Sequence, residues 1–158
     1  MKTLEYTTVD KSEWGDGPWQ KEPDKRQWLD EQTGLPCLIV RGPSGSLCGY
    51  VGVSQSHPDF QKGYDDVDVD VHGGLTFADH CMKSPDPAHG ICHLVEDGED
   101  DCVWWLGFDT AHYMDYSPET RAQLGRVGLS FNDSKIYRDI EYVTSQIKDL
   151  ARQLKKRG

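Results

Sequence analysis

No stretch of this 158-residue chain stays apolar for long. Hydrophobic residues make up 36% of it, and no run approaches the roughly 20 residues of a membrane-spanning helix. That absence excludes a helical membrane protein. Positive charge is scarce as well: 17 Lys and Arg stand against 27 Asp and Glu, for a net charge of −10. Such a surface repels a polyanion, and nucleic-acid affinity rests on neutralising phosphates. No nucleic-acid partner is expected. Of the spacings that announce zinc, C-x₂-C and H-E-x-x-H are missing, and Gly90 between His89 and His93 argues against a helix presenting both on one face. So are the P-loop G-x-x-x-x-G-K-[ST], the Rossmann G-x-G-x-x-G and the nucleophile elbow G-x-S-x-G. The opening MKTLEYTTVDKSEW has no hydrophobic leader, which predicts a cytoplasmic location.

What the chain does have is unevenly placed. Between His57 and Tyr116, fourteen acids face only Lys62 and Lys83, so this segment carries −12 and the remainder +2. Five cysteines (Cys37, Cys48, Cys81, Cys92 and Cys102), without an export signal, predict mostly free thiols. Cys37 and Cys48 lie in apolar surroundings and read as small buried residues. The length suits one domain, 1–158, with a core of its own. Sixteen Gly and eight Pro predict many turns.

The stretch that organises the chain is Val67 to Phe77, VDVDVHGGLTF. Val67, Val69 and Val71 alternate with Asp68 and Asp70, the pattern of a half-buried strand. It runs into His72 and the pair Gly73-Gly74, which permits positive φ and close backbone approach. Trp104 to Asp109 repeats that grammar, with His112 three residues on. The two strand ends are expected to wall one site.

Around them, Leu4 to Val9 predicts a first strand within an N-terminal arm, 1–17. Pro23 followed by Asp24 to Gln32 predicts a short helix stopped at Gly34. Leu35 to Val40 and Leu47 to Val53 predict a hairpin across RGPSGS. Ile91 to Val95 is a brief strand candidate, Cys102 to Phe108 a buried strand, and Pro118 to Gly125 a short helix. Ile136, Ile140, Val143, Ile147, Leu150 and Leu154 recur at spacings of four and three. They predict an amphipathic helix over 134–157, capped by Asn132, Asp133 or Ser134. This helix should lie across the sheet, with a homodimer through it as the rarer alternative. The fold class is therefore α+β: a mainly antiparallel sheet of about five strands with a C-terminal helix on one face.

Three chemistries compete for the candidate site. His72, His80, Cys81, His89, Cys92, His93, Asp109 and His112 invite a metal, but their spacing has little specificity and none is expected. Cys92 and His93, being adjacent in a strand, should point to opposite faces. His72, Asp109 and His112 can supply a base, an orienting carboxylate and an acid. Alternatively, Trp105 or Tyr113 stacks on a planar ligand while His72, Thr76, Asp109 and His112 hold its polar edges. In that case the amides of Gly73 and Gly74 meet a phosphate or ribose oxygen.

The segments GYVGV with His57-Pro58, VHGGLTF, GICH, WWLGFDTAH and YRDIEYV with LARQL together resemble a family of small uncharacterised proteins of bacteriophages and some bacteria. The likeness covers about Leu35 to Leu154, and VHGGLTF and WWLGFDTAH are its specific parts. It implies a phage accessory protein acting in the host cytoplasm; it implies no catalytic residues. Small phage proteins of this type include immune antagonists that capture a nucleotide second messenger. The expected function is thus sequestration of a small nucleotide-derived ligand, without a cofactor. The alternatives are a small hydrolase using His72, Asp109 and His112, or an acidic inhibitor that mimics nucleic acid.

Overall fold

The computed structural model describes residues 1–129 and 134–158. In chain order its elements are β1 (Leu4–Tyr6), β2 (Lys25–Leu29), β3 (Pro36–Arg41), β4 (Leu47–Ser54), β5 (Phe77–His80), β6 (Met82–Lys83), β7 (Gly90–Ile91), β8 (Val103–Asp109), α1 (Pro118–Arg126) and α2 (Ile140–Arg157). Six strands form one antiparallel sheet in the order β1-β2-β3-β4-β8-β5, and β6 and β7 make a separate two-stranded ribbon. With α2 packed on the sheet, the fold is α+β, one strand larger than the sequence suggests. Among the described residues, no helix is long and apolar enough to cross a membrane.

Each face of the sheet buries a different set of side chains. Cys37, Ile39, Leu47, Val51, Val53, Leu106 and Phe108 meet Val143, Ile147, Leu150 and Leu154 of α2 in the larger core. Leu38, Tyr50, Val103 and Trp105 form a smaller cluster on the opposite face. The alternation along β3, β4 and β8 assigns each residue to its layer. Helix and sheet approach closely at Gly49, where a methyl group would collide with the Phe108 ring and Ile147.

Several expectations are corrected. Residues 25–29 are a strand, not part of a helix. Arg26 bonds Glu5 across the ladder at 2.8 Å. Lys25 and Gln27 turn inward two residues apart: Lys25 Nζ donates to the carbonyls of Pro87, His89 and Gly90, and Gln27 pairs with both backbone groups of Leu94. These polar side chains are buried by hydrogen bonding to a distant loop, which a search for apolar periodicity does not register.

The Val67–Val71 segment belongs to no strand, and within it the Val69 amide donates to the Val67 carbonyl at 3.1 Å. Its alternation still holds, since Val67 and Val71 are buried. Further backbone partners are helix side chains: Gln153 accepts from the Asp70 amide and donates to the Asp70 carbonyl at 2.7 Å each, and Gln146 accepts from the His72 amide. Helix α2 begins at Ile140 rather than 134. Its cap is Asp139, which accepts from the Tyr142 amide at 2.9 Å. Ser134 lies outside the helix, and Asn132 and Asp133 fall outside the described residues. In the preceding segment Ile136 forms a parallel bridge with Asp115 and is exposed. The thiols are not all free: Cys81 and Cys92 are disulfide-bonded, brought opposite each other by the Met82–Ile91 pairing of the ribbon.

The far end of α2 is fastened by Asp59. Arg157 donates to both its carboxylate oxygens, at 2.6 and 2.9 Å, and Lys62 adds a third contact at 3.1 Å. Hydrogen bonds from Arg157 pull the Asp59 pKa from 3.8 down to about 2.

Two stability predictions follow from these contacts. Gly49→Ala should cost about 1–3 kcal/mol by overpacking the helix–sheet seam, measured as a lower urea midpoint at unchanged slope. A carboxylate with a depressed folded-state pKa contributes stability above its unfolded value and loses it as pH falls through the folded one. Asp59→Asn should therefore be less stable at pH 7, and its stability should decline less between about pH 4 and pH 2. Parallel acid profiles for the two proteins would contradict this.

Candidate functional site

The turn from Val71 to Gly74 closes with a 2.8 Å hydrogen bond from the Gly74 amide to the Val71 carbonyl. Gly73 sits at φ +69°, and a methyl group there would strike the His112 ring. The glycine thus lets the turn slide beneath His112, leaving the two imidazole centroids 5.8 Å apart. Because the Gly74 amide is committed to the turn, it is not an anion donor in this conformation.

His72 is held at both ring nitrogens. Its Nε2 lies 2.8 Å from Asp115 Oδ2 and its Nδ1 2.8 Å from the Tyr142 hydroxyl. An ionised carboxylate only accepts, so Nε2 carries the proton. In the neutral ring, Nδ1 then accepts from the Tyr142 O–H. This is the orienting-acid, imidazole, hydroxyl order that activates a hydroxyl or relays a proton.

Asp115 joins the whole cluster. It also receives Arg138 Nε at 2.9 Å and the His112 amide at 3.1 Å. Burial disfavours its charge, but the hydrogen bonds from His72, Arg138 and the His112 amide outweigh burial and hold its pKa below the ordinary value. The Arg138 guanidinium lies 4.8 Å from the Tyr142 ring centroid.

Asp109, at the end of β8, makes a second and more open pair. Its Oδ1 is 3.3 Å from His112 Nε2, and its Oδ2 accepts from Thr76 Oγ1 at 3.0 Å. His112 Nε2 is shielded from solvent and makes no well-aligned hydrogen bond. A cleft of about 390 Å³ opens beside it, lined by His112 to Ser117, by Thr120, Arg121 and Leu124 of α1, and by Ser44, Ser134 and Lys135.

The structure thus brings His72, Gly73, Thr76, Asp109 and His112 together. Tyr113 is on the cleft wall and is 85% exposed. Trp105 is elsewhere: it is fully buried in the smaller cluster, donating from Nε1 to Cys81 Sγ at 3.2 Å. Asp115, Arg138, Tyr142 and Gln146 went unrecognised. The first lies three residues past His112, a spacing that could have been read; the other three depend on where α2 lands.

With both His72 nitrogens engaged by Asp115 and Tyr142, that ring presents no lone pair to a metal. The acidic run at residues 96–101 is partly neutralised within the chain, as Glu99 holds the N-terminal amine at 2.5 Å and Asp101 holds Lys83 at 2.9 Å. No protein-family model, curated protein or solved structure matches this chain.

Gly73→Ala should place a side chain in the left-handed region and displace His112, at a cost of about 1–3 kcal/mol. In proton–nitrogen spectra of the imidazoles, the His112 signals should move more than those of His57 or His89. Unmoved His112 signals would refute the packing of this turn beneath the ring.

Proposed function

We propose that the chain is a small acid–base enzyme, of hydrolase type, acting on a nucleotide-derived ligand admitted by the cleft beside His112. The observation that carries this reading is the convergence on Asp115: one buried carboxylate orients His72, receives Arg138 and receives the His112 amide. Two imidazoles, each paired with its own carboxylate at unlike exposure, suit an acid and a base with separate duties. In this reading His112, backed by Asp109, meets the substrate and moves its proton. Asp115 fixes the tautomer of His72, whose Nδ1 faces the Tyr142 hydroxyl, and so steadies the turn that packs beneath His112. On the cleft wall, Tyr113 offers a face for a base.

Sequestration without turnover is the second reading. Its support is that both His72 nitrogens are already satisfied within the chain, which leaves that ring no open nitrogen for proton exchange with a ligand. A binding protein encoded by a phage would use the same cleft and the same Tyr113 face.

A capture-and-release experiment separates the readings. The protein is incubated with cyclic oligonucleotides and ADP-ribose derivatives, freed of unbound ligand, denatured and analysed. Chemically altered ligand is expected, with His112→Gln lowering turnover by about 10²-fold or more while leaving the fold intact. His80→Gln serves as the control, because His80 packs on Trp104 away from this cluster. Intact ligand recovered in stoichiometric amount would establish sequestration instead. Neither turnover nor capture of any member of the panel would overturn both readings.

A further inference from the structure

A second group of donors lies on the opposite face of the sheet, independent of the His72 cluster. Cys81, Cys92 and His93 place one ligand atom each within 4.8 Å of one another. Beyond Ile91 the chain leaves the ribbon, so the neighbours Cys92 and His93 converge rather than alternate as a strand would require. Both are buried, at 6% and 8% exposure.

Two features exceed what a disulfide needs. His93 Nδ1 approaches Cys81 Sγ at 4.0 Å, with the ring edge-on to Trp105. Trp105 Nε1–H donates to the same sulfur at 3.2 Å. A fixed N–H aimed at sulfur, beside a convergent imidazole, is the outer arrangement that supports metal-bound thiolates. A cleft of about 150 Å³ opens onto Cys92 and His93, giving a path for the ion and for a water in the fourth position.

We propose that Cys81, Cys92 and His93 form a redox-gated site for a single zinc-class ion, closed while the disulfide is intact. A dithiol reductant breaks the S–S bond and is itself oxidised to its cyclic disulfide, and its two protons pass to Cys81 and Cys92. Binding of the divalent ion then releases those two protons and forms two metal–thiolate bonds and one metal–imidazole bond. The sulfurs need only part to about 3.8 Å for tetrahedral zinc. Either state closes the loop whose carbonyls at Pro87, His89 and Gly90 cap the buried Lys25, so the exchange conserves the fold on that face.

Cobalt(II) titration of the full chain tests this, using the same wild-type protein in reduced and oxidised forms. The reduced protein should take up one cobalt with thiolate-to-metal charge-transfer absorption, displaced by one equivalent of zinc. The oxidised protein should show no such band. Cys92→Ser should lose it, Cys102→Ser should keep it, and Trp105→Phe should weaken zinc affinity about tenfold. No charge-transfer band in the reduced wild type would overturn the proposal. So would a band that survives oxidation or Cys92→Ser.

Discussion

The structure depends on a buried ionic knot centred on Arg41. Its guanidinium donates to Asp24 at 2.7 Å, to Glu22 at 3.2 Å, to the Gly45 carbonyl at 2.8 Å and to the Tyr137 hydroxyl at 2.9 Å. Lys11 adds a second cation on Asp24 at 2.8 Å. Burial opposes ionisation of Asp24, but Lys11, Arg41 and the amides of Val9 and Thr8 together keep its pKa below the ordinary value. Removing one member of such a knot leaves buried charge uncompensated, at about 3–5 kcal/mol. Four parts of the chain meet here: the N-terminal arm, the entry to β2, the β3–β4 turn and the lead-in to α2.

Through this knot the sheet tells α2 where to start. Glu22 Oε2 accepts from the Ile140 amide at 2.7 Å and its Oε1 accepts from the Tyr137 hydroxyl at 2.5 Å. With Tyr137 and Ile140 fixed, Arg138 falls on Asp115 and Tyr142 on His72. Gln146 and Gln153, further along the same helix, hold the backbone from Asp70 to His72. The helix therefore does two tasks with adjacent stripes: Val143, Ile147, Leu150 and Leu154 fill the core, while Tyr142, Gln146 and Gln153 take the place of a neighbouring strand for the segment that carries His72.

How far the sequence discloses this varies with the interaction. The β3–β4 hairpin, β8, α1 and the apolar face of α2 are legible because each answers to a local pattern of turn residues and periodic burial. The pairing of Asp70 and His72 with glutamine side chains is not, because a half-buried segment shows the same alternation whatever satisfies its amides. Strand β2 was hidden for a related reason. Lys25 and Gln27 are polar by composition and buried in fact, and only the carbonyls of a loop more than sixty residues away make that tenable.

The candidate site divides along the same line. His72, Gly73, Thr76, Asp109 and His112 belong to two short motifs, and the residue types alone mark them as able to hold a turn, a proton and a hydrogen bond. Asp115 as the common partner, Tyr142 as the hydroxyl on His72, and Trp105 as a buried neighbour of Cys81 were decided by tertiary structure. Strand parity sends Trp105 to the face away from α2, and the Asp139 cap with the Glu22 contact to the Ile140 amide starts the helix at Ile140. The sequence by itself determined the layers, the net charge and the chemical capacity of the motifs, because these follow from local periodicity and side-chain type. Which groups touch was settled only by long-range contacts, since buried charges and amides must find partners wherever the fold brings them.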